Sequence, residues 1–186
     1  LIRWKRMLDT KGYPQGKAVV RFKSDLNEKN PAMRDFPLAR INCENHPLQK
    51  KKYRVWPLMN LAVTADDIEL GITHIIRGKD HKDNAIRQKM MYKVLGKEKI
   101  YPWVSFIGRI HFTDLHLSTT QMREDIEKGL FTSWDDPRLP TIASLRKRGY
   151  KPETFYKFVE QRGLSEVDKT ISKKDFFEVL DRFENK

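Results

Sequence analysis

The middle of the chain alternates between short apolar runs and longer segments in which apolar side chains recur every three to four positions. The apolar runs predict strands at residues 53–58, 72–76 and 103–112. The helical spacing predicts helices at residues 60–70 and 84–95. Gly71 and Gly96 follow these helical segments and are expected to end them. The order strand, helix, strand, helix, strand is typical of an α/β fold with a parallel sheet.

The flanking regions have different patterns. Residues 1–53 contain a short helical pattern, two candidate strands (residues 17–23 and 38–42) and a basic turn. Residues 121–186 show no strand pattern, and four short helices are predicted at residues 122–129, 141–148, 152–163 and 172–183. We therefore predict three parts, with boundaries at residues 1–53, 54–112 and 113–186.

Composition and charge restrict the candidate functions. The 186 residues carry a formal net charge of +12 with a sequence pI of about 9.7, which favours a polyanionic partner such as nucleic acid. A basic protein without such a partner is the alternative. Cys43 is the single cysteine, so we expect no intrachain disulfide and interpret Cys43 as a small buried apolar residue. We expect a cytoplasmic protein with no membrane association, because neither a membrane span nor a signal peptide is visible.

The strand predicted at residues 72–76 ends abruptly in Arg77-Gly78-Lys79-Asp80-His81. Ligand groups in an open α/β sheet lie at the carboxyl ends of strands. The planar guanidinium of Arg77 is suited to a carboxylate or a phosphate, which it can hold with two parallel hydrogen bonds. The alternatives are a solvated surface arginine, or an arginine that holds its loop by pairing with Asp66 or Asp80. Neither His74 nor His81 has a second ligand at metal spacing, so no metal site is expected.

Several strings occur together in one order along the chain. They are Asn-Pro-Ala-Met-Arg-Asp at 30–35, Tyr-Arg-Val-Trp-Pro-Leu at 53–58, the segment 67–74, Arg-Gly-Lys-Asp-His at 77–81, and Ser-Trp-Asp-Asp-Pro-Arg-Leu-Pro-Thr at 133–141. In these strings and their order the chain resembles the class I glutamyl-tRNA and glutaminyl-tRNA synthetases of archaeal and eukaryotic type. The resemblance covers nearly the whole chain.

The resemblance implies an architecture. Residues 54–112 would form the second half of a class I Rossmann-type catalytic domain. Residues 1–53 would be the end of the strand-containing insertion that binds the tRNA acceptor stem, and residues 113–186 would hold a signature loop and a small helical module that contacts the tRNA stem. The family's His-Ile-Gly-His signature is not in this sequence. The chain also begins within a helical pattern at Leu1, so we expect a fragment that is inactive alone.

The resemblance also implies a reaction. Glutamate and ATP, with its Mg²⁺ ion, would form glutamyl-adenylate, and the glutamyl group would pass to tRNA(Glu). Arg77, Met59 and Asn60 would contact the amino acid, and Arg77 favours glutamate because a buried arginine facing a neutral amide would be left unpaired. A glutaminyl-tRNA synthetase and a non-catalytic tRNA- or RNA-binding relative are the alternatives.

Two positions depart from the family pattern. Met59 stands where a tyrosine is usual, and methionine cannot donate a hydroxyl hydrogen bond. In the signature loop, Gln121 stands where a lysine would meet the ATP phosphates, although Arg123 could substitute for it. The predicted ATP-binding residues are His81, His116, Leu117, Ser118, Thr119, Gln121 and Arg123.

Two charged segments are candidates for tRNA contact. By the resemblance, the first lies near the inner side of the tRNA and contains Trp134, Asp136 and Arg138. Its alternative is a helix-capping turn in which Asp135 or Asp136 caps and Arg138 pairs. The second is the cluster Arg146, Lys147 and Arg148, for which phosphate contact and a solvated helix face are both open.

Overall fold

The structure is a computed structural model, and it describes residues 1–115 and 117–184. The chain divides into two compact units, Leu1–Ser105 and Phe106–Lys186. These units follow from packing, whereas the three parts predicted from the sequence are defined by their role. The boundaries near residues 53 and 112 therefore stay a prediction.

The first unit begins with a helix and an antiparallel sheet. Its elements are α1 (Ile2–Leu8), β1 (Val19–Arg21), β2 (Pro37–Ile41) and β3 (Val55–Pro57), and the sheet has the order β1-β2-β3. Side chains of α1 and β2 are buried, including Met7, Ala39 and Ile41. Phe36, which precedes β2, is buried and stacks on Phe22 with ring centroids 4.9 Å apart.

The pairing of β3 corrects one expectation. We predicted that this strand joins the parallel sheet of the following region, but it pairs antiparallel with β2, with Ile41 opposite Val55 and Ala39 opposite Pro57. The N–H of Asn42 donates to Arg54 O at 2.8 Å as the chain returns. An antiparallel pair needs only a short connection, and an apolar run identifies a strand without identifying its neighbour.

The second half of the first unit matches the predicted alternation. It contains α2 (Met59–Glu69), β4 (His74–Gly78), α3 (Lys82–Val94) and β5 (Trp103–Ile107), and β4 pairs with β5. Helix α2 packs on α3. Gly71 and Gly96 have φ of 65° and 67° just after these helices, a conformation that glycine adopts without a steric penalty. Both predicted helix ends are therefore confirmed.

The second unit is mainly helical. It contains β6 (Ile110–Phe112), α4 (Thr119–Glu127), α5 (Ile142–Lys147), α6 (Pro152–Arg162), β7 (Lys169–Ile171) and α7 (Lys173–Glu184). The four predicted helices are present. The expectation of no strand after residue 121 is wrong, because β7 pairs parallel with β6, with His111 opposite Thr170. A strand of three residues is too short to show an alternating pattern.

The strand predicted over residues 103–112 is interrupted at Gly108. Its N–H donates to Ser165 O at 2.8 Å, and the carbonyl of Gly108 accepts from Arg162. A Cβ atom here would lie 2.4 Å from Val167 O. The close backbone approach requires glycine and divides the predicted strand into β5 and β6.

Cys43 is exposed, which corrects its predicted burial. It lies two residues beyond the end of β2, and its N–H donates to Gln15 Oε1 at 2.7 Å. An apolar side chain past the end of a strand no longer lies on the buried face of the sheet.

The helices within the described part of the chain are all too short or too polar to cross a membrane.

Candidate active site

Arg77 lies at the carboxyl end of β4, one residue before Gly78 closes the strand. The residue is half-buried, and its Nη1 donates a hydrogen bond to Gln88 Oε1 at 2.8 Å. Within residues 1–115 and 117–184, no carboxylate lies within ion-pair distance of the Arg77 guanidinium. Arg77 is therefore held by a neutral amide on α3, and the alternative of an ion pair with Asp66 or Asp80 does not describe its contacts.

Gln88 connects Arg77 to a line of polar side chains between α2 and α3. Gln88 is 2% exposed, and its Nε2 donates to Asn60 Oδ1 at 3.4 Å. Asn60, 8% exposed, donates through Nδ2 to Asn84 Oδ1 at 3.2 Å. Asn84 Nδ2 in turn lies 3.0 Å from His81 Nδ1. The fold thus links three predicted site residues, Arg77, Asn60 and His81, through two that the sequence analysis missed.

A signal for Gln88 was present in the sequence. The buried face of α3 carries Ala85, Gln88, Met91 and Tyr92, and Gln88 is the polar member of this stripe. A polar side chain at a core position of a helix has a desolvation cost unless it is hydrogen-bonded. A buried polar residue on the helix that follows a candidate arginine is therefore expected to hydrogen-bond to it.

The charge of Arg77 affects nearby groups of the first unit. Burial raises the pKa of the Asp67 carboxyl, and the positive charge of Arg77 opposes that rise. Burial likewise raises the pKa of Tyr101, again with an opposing effect of Arg77. The Tyr101 hydroxyl donates to Ala85 O at 3.0 Å, which ties the segment before β5 to α3.

The Asn30-Pro-Ala-Met string docks against α3. Asn30 Oδ1 accepts from the N–H of Ala32 at 3.0 Å, and Asn30 Nδ2 donates to Asp83 Oδ1 at 2.9 Å. Arg87 Nε donates to Ala32 O at 2.7 Å. These contacts join the string at residues 30–35 to α3. They also fix the helix that holds Arg77.

Met59 is the first residue of α2 and is 46% exposed. It presents an apolar side chain where the family pattern has a hydroxyl. The side chain of Asn60, the next residue, instead lies between α2 and α3, where it hydrogen-bonds to Asn84 and Gln88. Direct contact of either residue with a substrate stays a prediction.

The signature loop belongs to the second unit. Ser118 caps α4 by accepting the N–H of Gln121 at 3.3 Å, and the side chain of Gln121 donates to Asp125 Oδ1 at 2.9 Å. Leu117, Ser118, Thr119, Gln121 and Arg123 are exposed. His116 lies outside the described residues. The predicted ATP contacts of this loop stay a prediction.

The loop before α5 is built around Asp136. This residue is 3% exposed, and its carboxylate accepts from the backbone N–H groups of Thr132 and Arg138, each at 3.0 Å. Arg138 Nη2 lies 2.7 Å from Asp136 Oδ2. Hydrogen bonding by Arg138, and then by the Thr132 backbone, holds the pKa of Asp136 well below its usual range. The pairing of Arg138 with Asp136 matches the alternative, but the helix cap does not, because Thr141 is the N-cap of α5 and accepts the N–H of Ser144 at 3.0 Å. Contact of Asp136 or Arg138 with tRNA stays a prediction.

The basic cluster and Trp134 lie in the same unit. Lys147 Nζ is 3.1 Å from Asp135 Oδ2, and the Arg148 guanidinium lies 4.1 Å from the ring centroid of Phe177. Arg146 is exposed at the end of α5, and Trp134 is 39% exposed. Lys147 and Arg148 thus have intramolecular partners, whereas the exposed surfaces of Trp134 and Arg146 are open to a ligand. Their tRNA contact also stays a prediction.

Neither a cluster of metal-ligating side chains nor the cavity beside β1 involves a predicted site residue in the described part of the chain. Among residues 1–115 and 117–184, no group of three or more His, Cys, Asp or Glu side chains is placed to hold a metal ion. A cavity of about 640 Å³ is lined by residues beside β1 and β2, including Lys17, Val19, Arg40 and Ile41. None of the predicted site residues lines that cavity.

Known proteins resemble this chain over nearly its whole length. A family model described as "tRNA synthetases class I (E and Q), catalytic domain" matches residues 3–184. Curated relatives called "Glutamate--tRNA ligase" from Thermococcus kodakarensis and Pyrococcus furiosus are each 48% identical over 173 residues, which is 92% of this chain. A glutamate–tRNA ligase from Archaeoglobus fulgidus is 40% identical over 188 residues, or 98% of the chain. The chain spans 30% to 34% of the length of these relatives.

Proposed function

The chain belongs to the catalytic-domain family of the class I tRNA synthetases for glutamate and glutamine, and on that premise we propose that it contributes the glutamate-binding arginine of a glutamate–tRNA ligase. The observation that carries the proposal is the environment of Arg77. Its guanidinium is oriented by neutral Gln88, and no carboxylate of the described chain is within ion-pair distance. Its positive charge is therefore available to a carboxylate ligand.

The family implies the use of ATP. In the proposed reaction, an α-carboxylate oxygen of glutamate attacks the α-phosphorus of ATP, and the bond to the pyrophosphate leaving group breaks. A ribose hydroxyl at the end of tRNA(Glu) then attacks the acyl carbon of the adenylate and releases AMP. This chemistry needs positioned substrates and stabilised phosphate charge more than a protein nucleophile.

In this proposal Arg77 discriminates between glutamate and glutamine. A charge-assisted, two-pronged bond from its guanidinium fits the side-chain carboxylate of glutamate. Glutamine would place a neutral amide there, and the partly desolvated arginine would lose its counter-charge. Relatives of 40–48% identity that are called glutamate–tRNA ligases support the same choice.

The ATP and tRNA contacts are assigned to separate groups. We assign the phosphates of ATP, with their Mg²⁺ ion, to the exposed segment from Leu117 to Arg123, where Arg123 supplies a cation and the first turn of α4 supplies backbone N–H donors. The ATP contact of His81, in the first unit, is a separate part of the proposal. We assign tRNA contact to Trp134 and Arg146, which are both exposed. The net charge of +12 suits a tRNA partner. A cytoplasmic location is part of the same proposal.

Arg77→Ala in the complete protein tests the proposal. Loss of a charge-assisted contact costs about 2–4 kcal/mol, so the KM for glutamate should rise by about 30-fold or more. The KM for ATP should stay within about twofold. The measurement is glutamate-dependent ATP–pyrophosphate exchange with tRNA present throughout. Arg21→Ala, an exposed arginine on β1, is the matched control.

Three results would contradict parts of the proposal. An unchanged KM for glutamate in Arg77→Ala would remove Arg77 from the substrate site. Exchange that depends on glutamine rather than glutamate would indicate a glutaminyl-tRNA synthetase. A complete protein that binds tRNA but exchanges pyrophosphate with neither amino acid would indicate a non-catalytic relative, for which the missing lysine at Gln121 is the sequence sign.

A further inference from the structure

We infer that Gln88 is a positioning residue for glutamate recognition, because it fixes the direction of the Arg77 guanidinium without neutralising its charge. This inference rests on the proposed function of Arg77. Gln88 was not among the residues that the sequence or the family resemblance pointed to. Its role follows from one contact, the 2.8 Å hydrogen bond from Arg77 Nη1 to Gln88 Oε1.

The contact with Gln88 holds the Arg77 side chain in one orientation. An arginine side chain has several rotatable bonds and loses considerable rotamer entropy when it is held in one place. Gln88 supplies a fixed acceptor because it is 2% exposed in the middle of α3. One N–H group of Arg77 Nη1 is therefore occupied before substrate arrives. A ligand contact made by a preoriented group loses less entropy on binding.

The direction of the Gln88 amide is also determined. Its Nε2 donates to Asn60 Oδ1 at 3.4 Å, so its Oε1 faces Arg77. Asn60 is held by its own donation to Asn84 Oδ1, at 3.2 Å. Arg87 Nη1 also donates to Asn84 Oδ1, at 3.3 Å. Because each amide donates to the next, rotation of any one of them would place two like groups against each other.

The neutrality of Gln88 matters as much as its position. An aspartate or glutamate facing Arg77 would orient it equally well, but it would supply the negative charge that the substrate carboxylate is meant to provide. An amide oxygen accepts the hydrogen bond and carries no net charge. A neutral, buried acceptor thus meets both requirements of a carboxylate-binding arginine. Burying an amide on a helix face is otherwise costly.

Gln88→Met is the first test, made in the complete protein. Methionine has a similar length and keeps the helix, but it removes both hydrogen bonds of the amide. We expect the KM for glutamate to rise about tenfold, equivalent to about 1.4 kcal/mol. The KM for ATP should stay within about twofold. Lys93→Met, at an exposed site on the same helix, is the matched control and should leave both constants unchanged.

A double-mutant cycle separates positioning from a general structural role. In the Arg77→Ala background, Gln88→Met should not raise the KM for glutamate any further, because the group that it positions is gone. An equal rise in both backgrounds would overturn the inference. So would an unchanged KM in Gln88→Met alone. If Arg77→Ala leaves the KM for glutamate unchanged, both the proposed function and this inference fail. If Arg77→Ala raises that KM and Gln88→Met does not, only this inference fails.

Gln88→Glu tests the role of charge and guards against a misfolded methionine variant. The carboxylate keeps the size and the acceptor, and it places a negative charge beside Arg77. The KM for glutamate should rise more than in Gln88→Met, and the preference for glutamate over glutamine should fall. A glutamate KM equal to that of the unmodified protein would overturn the inference, because neutrality at residue 88 would then be irrelevant.

Discussion

Two neighbouring tyrosines provide a quantitative test of how α3 is held. Tyr92 and Tyr101 pack edge to face with ring centroids 5.0 Å apart. The Tyr101 hydroxyl donates to Ala85 O at 3.0 Å. The Tyr92 residue is 1% exposed, and its hydroxyl has no hydrogen-bond partner among the described residues. The same substitution to phenylalanine therefore removes a satisfied hydroxyl at one position and an unsatisfied one at the other.

The two substitutions are expected to change the free energy of unfolding in opposite directions. A typical intramolecular hydrogen bond contributes about 1 kcal/mol net, so Tyr101→Phe should lower the free energy of unfolding by about that amount. A buried hydroxyl without a partner keeps its desolvation cost, about 1–3 kcal/mol. Tyr92→Phe should therefore raise the free energy of unfolding by about 1 kcal/mol. The two variants should differ by about 2 kcal/mol, or about 30-fold in the folded-to-unfolded ratio.

Urea unfolding measures the difference in the free energy of unfolding between the two variants. Hydrogen exchange of the α3 amide protons measures the local stability of the helix. Each variant is the matched control of the other, because both remove one hydroxyl from the same aromatic pair. Equal losses of stability in the two variants would refute the reasoning. That result would mean that the Tyr92 hydroxyl is satisfied, and that its burial carries no cost.

Two further predictions concern the second unit. Gln121→Lys should speed glutamyl-adenylate formation without changing the KM for glutamate. The double variant Gln121→Lys/Asp125→Asn should be faster still, because it removes an ion pair between Asp125 and the new lysine that would stabilise the lysine away from ATP by about 0.3–0.5 kcal/mol. If both leave pyrophosphate exchange unchanged while Arg123→Ala abolishes it, Arg123 is already the phosphate-binding cation; if none of the three has an effect, this loop does not bind ATP. Burial, and then the hydrogen bond to Asp181, raise the pKa of Tyr150 from 10.0 to about 12. Stability from this residue is complete below pH 10 and is lost as the pH rises towards 12, where the unfolded chain ionises first. Tyr150→Phe should flatten that part of the stability profile in urea unfolding at increasing pH, and an unchanged slope would contradict the assignment.

The helices of this chain were predictable because their signals are local. Gly71 and Gly96 end α2 and α3 as expected, and both have positive φ. The last helix was predicted to begin at residue 172, and at this end the Oγ of Ser172 accepts the N–H of Asp175 at 3.0 Å. Caps and glycine ends depend on a few adjacent residues, so the sequence contains the information that places them.

Strand pairing was less predictable because it depends on distant residues. The apolar run before Leu58 correctly predicted a strand, but β3 pairs with β2 rather than in the sheet that contains β4. The strand β7 was missed because its partner β6 lies about sixty positions earlier in the chain. Gly108 explains the break between β5 and β6 only once the segment at Val167 is known to lie against it. None of these facts is carried by the local pattern of apolar residues.

The candidate site shows the same limit in chemical terms. The string from Arg77 to His81 led to the predicted site, which stays a prediction, and the sequence offered Asp66 and Asp80 as partners because opposite charges near an arginine suggest an ion pair. The structure gives Arg77 a neutral partner eleven positions away, on the buried face of the next helix. Under the proposed function this difference matters. An arginine paired with a carboxylate would discriminate poorly between glutamate and glutamine, whereas a hydrogen bond to a neutral amide adds no negative charge beside the arginine. The proposal therefore gives the residue at position 88 an influence on substrate choice that acts through Arg77, without contact between residue 88 and the substrate.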